Sequence, residues 1–220
     1  MKKNLILFGG ALYLVLTAIT FTMATDQKQV EVQKKAKKSE GTTSSKDLIT
    51  EGSQAFRAQR YDDAITIYKK AVEKDPQSVD AHYNLALTYD QKGMIDESIE
   101  SYKHVINLKP DHGQAHNNLG TVYEKKDMLS KAIAQYKLAI ATDPDLPQAQ
   151  YNLGRAYYKE GLLGKAAEHL YTGGSLFLKK GDRKWAENSY NLLKNTKSEE
   201  FEKALYSELY PGKVRKELPR

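Results

Sequence analysis

Between Asp47 and Leu170 the apolar residues recur at helical spacing, grouped into paired short stripes. In one stretch Leu85, Ala86 and Tyr89 form a first stripe and Gly93 marks a turn. Ile95, Ile99, Tyr102, Val105 and Ile106 form a second stripe, and Pro110 ends it. The pattern returns 34 residues later. Leu119, Gly120, Val122 and Tyr123 lead to a turn near Asp127, then Ala132, Ile133, Tyr136, Ala139 and Ile140 lead to Pro144. Whole strings coincide: Asp80-Ala81-His82-Tyr83-Asn84-Leu85-Ala86 returns as Gln114-Ala115-His116-Asn117-Asn118-Leu119-Gly120, and again as Gln148-Ala149-Gln150-Tyr151-Asn152-Leu153-Gly154. A looser copy precedes these, with Gly52, Ala55 and Phe56, then Ala64, Ile65, Tyr68 and Ala71, then Pro76. A last copy has Leu153, Gly154, Tyr157 and Tyr158, then Gly161, then Ala166 and Leu170. A fixed period of this size predicts an array of helical hairpins, each burying its apolar stripe against its neighbours.

The prediction is an all-α solenoid of about four hairpins, over residues 46–79, 80–113, 114–147 and 148–180. Beyond them the register breaks. Leu170 to Lys180 extends the last second helix, and Gly181-Asp182 reads as a stop followed by an N-cap. The next helix carries Trp185, Ala186, Tyr190, Leu192 and Leu193. Thr196-Lys197-Ser198-Glu199 reads as a capping box for a final helix with Phe201, Leu205 and Leu209. An array needs atypical ends to cover its open core, so 181–210 is expected to be a cap and 211–220 a tail.

The N-terminal segment has a different pattern. Leu5 to Ala24 contains no charge, and as a helix it would span about 30 Å, the thickness of a bilayer core. Two readings fit: an uncleaved membrane anchor, or a cleaved signal peptide ending at Thr22-Met23-Ala24. Lys2 and Lys3 place the N-terminus on the cytoplasmic side, whereas Lys28, Lys34, Lys35, Lys37 and Lys38 count for the opposite orientation. Because a short basic start before an apolar run is also the export signal, the expectation is an exported, membrane-held body. Residues 25–45 lack aromatics and are rich in Lys, Gln, Ser and Thr, the composition of a flexible linker.

Charge sharpens this organisation. The net +6 is carried by the ends. Residues 1–45 hold 7 Lys against 3 acids, and residues 179–220 hold 11 bases against 7 acids, so each end is +4. Residues 46–178 hold 16 bases and 18 acids, a net −2. The body therefore lacks the basic stripe that nucleic-acid binding uses. There is no cysteine, which excludes disulfides, thiol catalysis and thiolate-bound metal.

These in-phase residues resemble the tetratricopeptide repeat. The third hairpin supplies its signature with His116, Leu119, Gly120, Tyr123, Ala132, Tyr136, Ala139 and Pro144, and the second with His82, Leu85, Ala86, Tyr89, Ser98, Tyr102, Val105 and Pro110. The first departs at Glu51 and Ala55, and the fourth at Leu170 and Gly173. The resemblance covers about residues 45–178 and implies a non-enzymatic scaffold whose concave groove, lined by the first helices, binds a peptide of a protein partner. It implies no cofactor. Asn84, Asn118 and Asn152 recur in phase on that groove, where an amide suits any peptide backbone. Tyr83, Asn117, Thr121, Lys125, Tyr151, Arg155, Tyr158 and Lys159 share it, and the aromatic and basic fourth repeat is suited to a carboxylate or an acidic segment. The family's two-carboxylate clamp needs Lys and Asn in the first repeat. Ile49 and Ser53 stand there, so the clamp is not carried over. A homo-oligomeric scaffold, as in coat-forming relatives, is the alternative.

Other chemistry finds little support. His82 and His116 fall on packing positions. His112 and His116 have the spacing of a helical metal pair, but no acid completes a set, so no metal site is expected. No phosphate-binding Gly loop, Gly-x-Ser-x-Gly or His-Glu-x-x-His motif occurs.

Overall fold

The computed structural model describes residues 43–212. The expected anchor at 1–24, almost all of the linker and residues 213–220 of the tail lie outside them. Among the described residues there are ten α-helices and no strand: α1 Ser45–Arg57, α2 Tyr61–Lys74, α3 Val79–Lys92, α4 Ile95–Leu108, α5 Gly113–Lys125, α6 Leu129–Thr142, α7 Pro147–Lys159, α8 Leu163–Lys179, α9 Arg183–Leu193 and α10 Glu199–Leu209. None of these is long and apolar enough to cross a membrane. Successive helices pack as antiparallel hairpins, α1 with α2 through α7 with α8, and each hairpin packs on the next. The result is an all-helical solenoid.

Local chemistry sets the hairpin breaks. Gln59, Gly93, Asp127 and Gly161, one period apart, all have left-handed backbone with φ of 59°, 78°, 57° and 76°. A left-handed residue after the last turn ends a helix by redirecting its final N–H groups. Glycine does this without strain, and Gln59 and Asp127 show that position in the array imposes the turn even on other residues. At the far end of the first three hairpins, Asp75, Lys109 and Asp143 are extended, with φ between −137° and −141°. Each precedes a proline, whose ring disfavours helical backbone in the residue before it.

Close packing explains the small residues. A Cβ on Gly120 would lie 2.6 Å from Tyr136 Cε1, and one on Gly154 would lie 2.9 Å from the backbone nitrogen of Leu170. In the second hairpin Ala86 stands at this position, and Ser98 Oγ donates to its carbonyl at 3.0 Å. Tyr68, Tyr102 and Tyr136 fill the gaps between helices and are at most 2% exposed. One core runs from Ala86 to Leu209, and the first hairpin adds smaller clusters around Tyr68 and Leu48. Lys92 pairs with Asp62 and Lys126 with Asp96, joining consecutive hairpin turns on the surface.

The C-terminal helices pack on α8, which runs for 17 residues and buries Leu176 and Phe177. A Cβ on Gly174 would lie 2.6 Å from Leu205 Cδ2, so α10 approaches the α8 backbone directly. Arg183 Nη2 donates to Leu209 O at 2.7 Å and ties the start of α9 to the end of α10. Asp182 Oδ1 caps α9 by accepting from Trp185 N at 3.2 Å. Asp182→Ala is expected to cost about 1 kcal/mol, the usual value of an N-cap, read as a lower thermal midpoint. The capping box expected at Thr196 does not form. Thr196 is buried, and its hydroxyl donates to Leu193 O at 2.7 Å within a 3₁₀ turn. Lys197 is left-handed, and α10 begins only after Ser198.

Candidate functional site

The first helices of the hairpins, α1, α3, α5 and α7, present one side-chain face in succession. Residues 35 apart meet there, because the residue next in phase lies on the neighbouring helix. Asn118 Nδ2 donates to Tyr83 Oη at 3.0 Å, and Asn152 Nδ2 donates to Asn117 Oδ1 at 3.0 Å. Asn117 Nδ2 in turn donates to Asn118 Oδ1 at 3.2 Å. Tyr83, Asn118, Asn117 and Asn152 thus form one hydrogen-bonded ladder across α3, α5 and α7. Two of the three in-phase asparagines are engaged within the chain. The amide of Asn84 has no partner among the described residues.

A second ladder is ionic. Lys125 Nζ lies 2.6 Å from Asp90 Oδ1, and Lys159 Nζ lies 2.6 Å from Glu124 Oε1. Arg155 Nη2 lies 2.9 Å from Glu124 Oε2, which also accepts from Tyr136 Oη at 2.9 Å. Burial alone would raise the Glu124 carboxyl. The hydrogen bond from Lys159 and the Arg155 charge outweigh it and hold the group below its usual range. Burial pushes the Tyr136 hydroxyl up, so it stays protonated and can donate. The carboxylate that Arg155 and Lys159 were expected to take from a ligand is therefore supplied by Glu124.

The remaining predicted residues divide between two environments. Thr121 Oγ1 donates to Asn117 O at 3.2 Å. Tyr151 meets Trp185 edge-on at 5.4 Å, with the Arg155 guanidinium 5.9 Å from its ring, and Tyr158 packs half-buried against the core. Sequence reasoning also places Asp90 and Glu124 on this face, but not as the partners of Lys125, Arg155 and Lys159, and it reads Trp185 only as part of the capping helix. It also read the second-helix tyrosines as packing residues alone, although the hydroxyls of Tyr68 and Tyr136 reach side chains on this face. The 34-residue phase was a usable signal for Glu124, since acids at 90 and 124 each precede by 35 a lysine at 125 and 159.

The histidines serve the fold. His82 Nε2 donates to Pro76 O at 3.1 Å and His116 Nε2 to Pro110 O at 3.0 Å, pinning each helix start to the preceding proline. His116 Nδ1 lies 2.8 Å from Gln135 Oε1, and His112 Nδ1 accepts from Ala115 N at 3.2 Å. These partners occupy both ring nitrogens of His116 and Nδ1 of His112. Among the described residues no group of three or more His, Asp or Glu side chains is arranged to hold a metal ion.

A family model described as TPR repeat matches residues 52–93 and 129–161, and one described as tetratricopeptide repeat matches residues 79–112. No curated protein matches the chain significantly. Among solved structures, a crystal structure of MamA is 26% identical, with a TM-score of 0.61 over 67% of this chain and 86% of that one. TTC0263, a thermophilic TPR protein of Thermus thermophilus, is 21% identical, with a TM-score of 0.53 over 76% of this chain and 99% of that one. The first TPR of Spaghetti (RPAP3), bound to the HSP90 peptide SRMEEVD, is 20% identical, with a TM-score of 0.52 over 53% of this chain and 93% of that one. The last two likenesses are of fold.

Proposed function

Taking the described body as an array of tetratricopeptide repeats, we propose that this protein is a non-enzymatic adaptor. A peptide segment of a partner protein docks along the face shared by α1, α3, α5 and α7. The observation that carries this reading is the polar surface on that face, repeated in phase from hairpin to hairpin while the opposite sides of the same helices are buried. The peptide bound to the related Spaghetti repeat is consistent with it. The uncharged stretch Leu5–Ala24 holds the body at a membrane, on the exported side, where it helps assemble an envelope complex.

A photo-crosslinking residue placed at Leu87 or Tyr158 is expected to capture a partner in the native host, while the same residue at Leu138, 45% exposed on second helix α6, is not. Crosslinks from Leu138 alone would overturn the groove reading. A reporter active on only one side of the membrane, fused after Arg220, tests the orientation.

A self-assembling scaffold is a second reading. Leu162 and Leu163 stand side by side in the α7–α8 turn at 42% and 36% exposure, an apolar step that a second copy would cover. Light scattering on a sizing column decides it, and a stable monomer ends the idea.

A further inference from the structure

The polar groups of the first-helix face close on one another from the second hairpin to the third and from the third to the fourth, but not from the first to the second. Asn118 reaches Tyr83 and Asn152 reaches Asn117, each 35 residues back. The counterpart for Asn84 is Ile49, which packs against α3 but offers no polar atom, so the Asn84 amide is left open. A second gap lies on the same helix. Tyr68 Oη lies 3.1 Å from Ser53 Oγ, and Tyr136 Oη bonds Glu124 with Thr121 at 3.5 Å. In phase with Ser53 and Thr121 stands Leu87. Tyr102 is 0% exposed and its hydroxyl has no hydrogen-bond partner. The Asn118 side chain comes within hydrogen-bonding reach of that hydroxyl, but its amide is aligned on Tyr83 Oη instead, at 3.0 Å.

A buried donor without an acceptor is costly and is rarely retained without a reason. Asn84 and Leu87 lie three residues apart and so share one side of α3. Ile49, Phe56, Tyr83 and Leu87, on the same two helices, are half-buried. The nearest acid of this face on α3, Asp90, is already neutralised by Lys125.

We propose that this stretch of α1 and α3 takes an extended, uncharged peptide segment with apolar side chains on alternate residues. The inference rests on the peptide-binding reading above, and narrows it to the N-terminal half of the face and to a neutral ligand. The Asn84 amide, with both donors and an acceptor, pairs with the main chain of the segment. A main-chain carbonyl accepts from Tyr102 once Leu87 turns aside. Alternate side chains, which point the same way along an extended chain, seat on Ile49, Phe56 and Leu87.

The test uses the full chain in nanodiscs and two end-capped peptides, one alternating Leu with Ser and one alternating Glu with Ser. Calorimetry measures affinity, and the side-chain amide NMR signals of the asparagines report the site. The Leu peptide is expected to bind and to move the Asn84 signal, with the Glu peptide weaker by about tenfold or more. Asn84→Ala is expected to weaken Leu-peptide binding by about tenfold, the value of one hydrogen bond with its burial. Leu87→Thr removes the apolar seat and sets a hydroxyl beside Tyr102, as Thr121 stands 3.5 Å from Tyr136. It is expected to retain the thermal midpoint and to weaken binding, which separates a binding role from a folding role. Equal affinity for the two peptides, no binding of the Leu peptide, or binding unchanged in both variants overturns the inference. If the Glu peptide binds instead and moves Asn152, the inference fails while peptide binding by the face stands.

Discussion

Replacing Tyr136 with alanine is expected to destabilise the array by about 3–5 kcal/mol, the range for deleting a large buried aromatic side chain. The residue is 0% exposed. Its ring fills the space that Gly120 leaves between α5 and α6, where an added Cβ would lie 2.6 Å away. The neighbours cannot collapse into the gap, because Ala132 and Ala139 on the same helix are already fully buried against other helices. At about 2–4 °C per kcal/mol for a domain of this size, the thermal midpoint should fall by roughly 10 °C. Tyr136→Phe keeps the ring and loses the hydroxyl bond to Glu124 with its weaker contact to Thr121, so it should cost about 1 kcal/mol. If both variants melt alike, the aromatic ring is not what holds the third hairpin together.

Replacing Glu124 with alanine is expected to cost about 2 kcal/mol, because it leaves Arg155 and the Tyr136 hydroxyl without their acceptor. The figure is below that of a fully buried ion pair because Lys159 is 53% exposed, and solvent screens its share. The same carboxylate gives a pH signature. Its pKa is held below the usual range in the folded chain, so its contribution is fully present above the unfolded carboxyl value of about 4.3. It is lost as pH falls through the lower folded value. Glu124→Gln should therefore flatten the acid end of the stability profile, below about pH 4.3.

Weakening at milder acidity should persist in that variant. Burial lowers the pKa of His82, His112 and His169, so each favours the folded state when neutral. Their contribution is lost as pH falls from about 6.5 towards their folded values. Denaturant unfolding at a series of pH values separates the two ranges. An unchanged acid limb in Glu124→Gln would remove the carboxylate from this role.

The repeat phase carried the architecture. Leu85 and Leu119, Tyr102 and Tyr136, and the prolines at 76, 110 and 144 each occupy the place their spacing implied, because hairpin packing is a local matter of apolar stripes and breaks. The face was less legible. Asn118 and Asn152 stand on it as expected, but their amides are held by Tyr83 and Asn117 rather than left open to a ligand. Thr196 satisfied a capping motif in the sequence, yet its burial in a 3₁₀ turn redirected the hydroxyl to Leu193.

Period, turn chemistry and small residues determined by themselves that this chain is an all-helical array of paired hairpins with an atypical end. Each of those signals acts within one hairpin or between adjacent ones, and so is written in short-range spacing. Only the tertiary structure decided which polar groups on the first-helix face are closed and which are open. Tyr102 and Tyr136 have the same identity and phase. The hydroxyl of one is buried without a partner while that of the other holds Glu124, because the residue in phase with Glu124 is the shorter Asp90, paired with Lys125, and Leu87 stands where Thr121 does. Hydrogen-bond satisfaction depends on pairs brought together across helices, and the period alone does not reveal which pairs will be complementary.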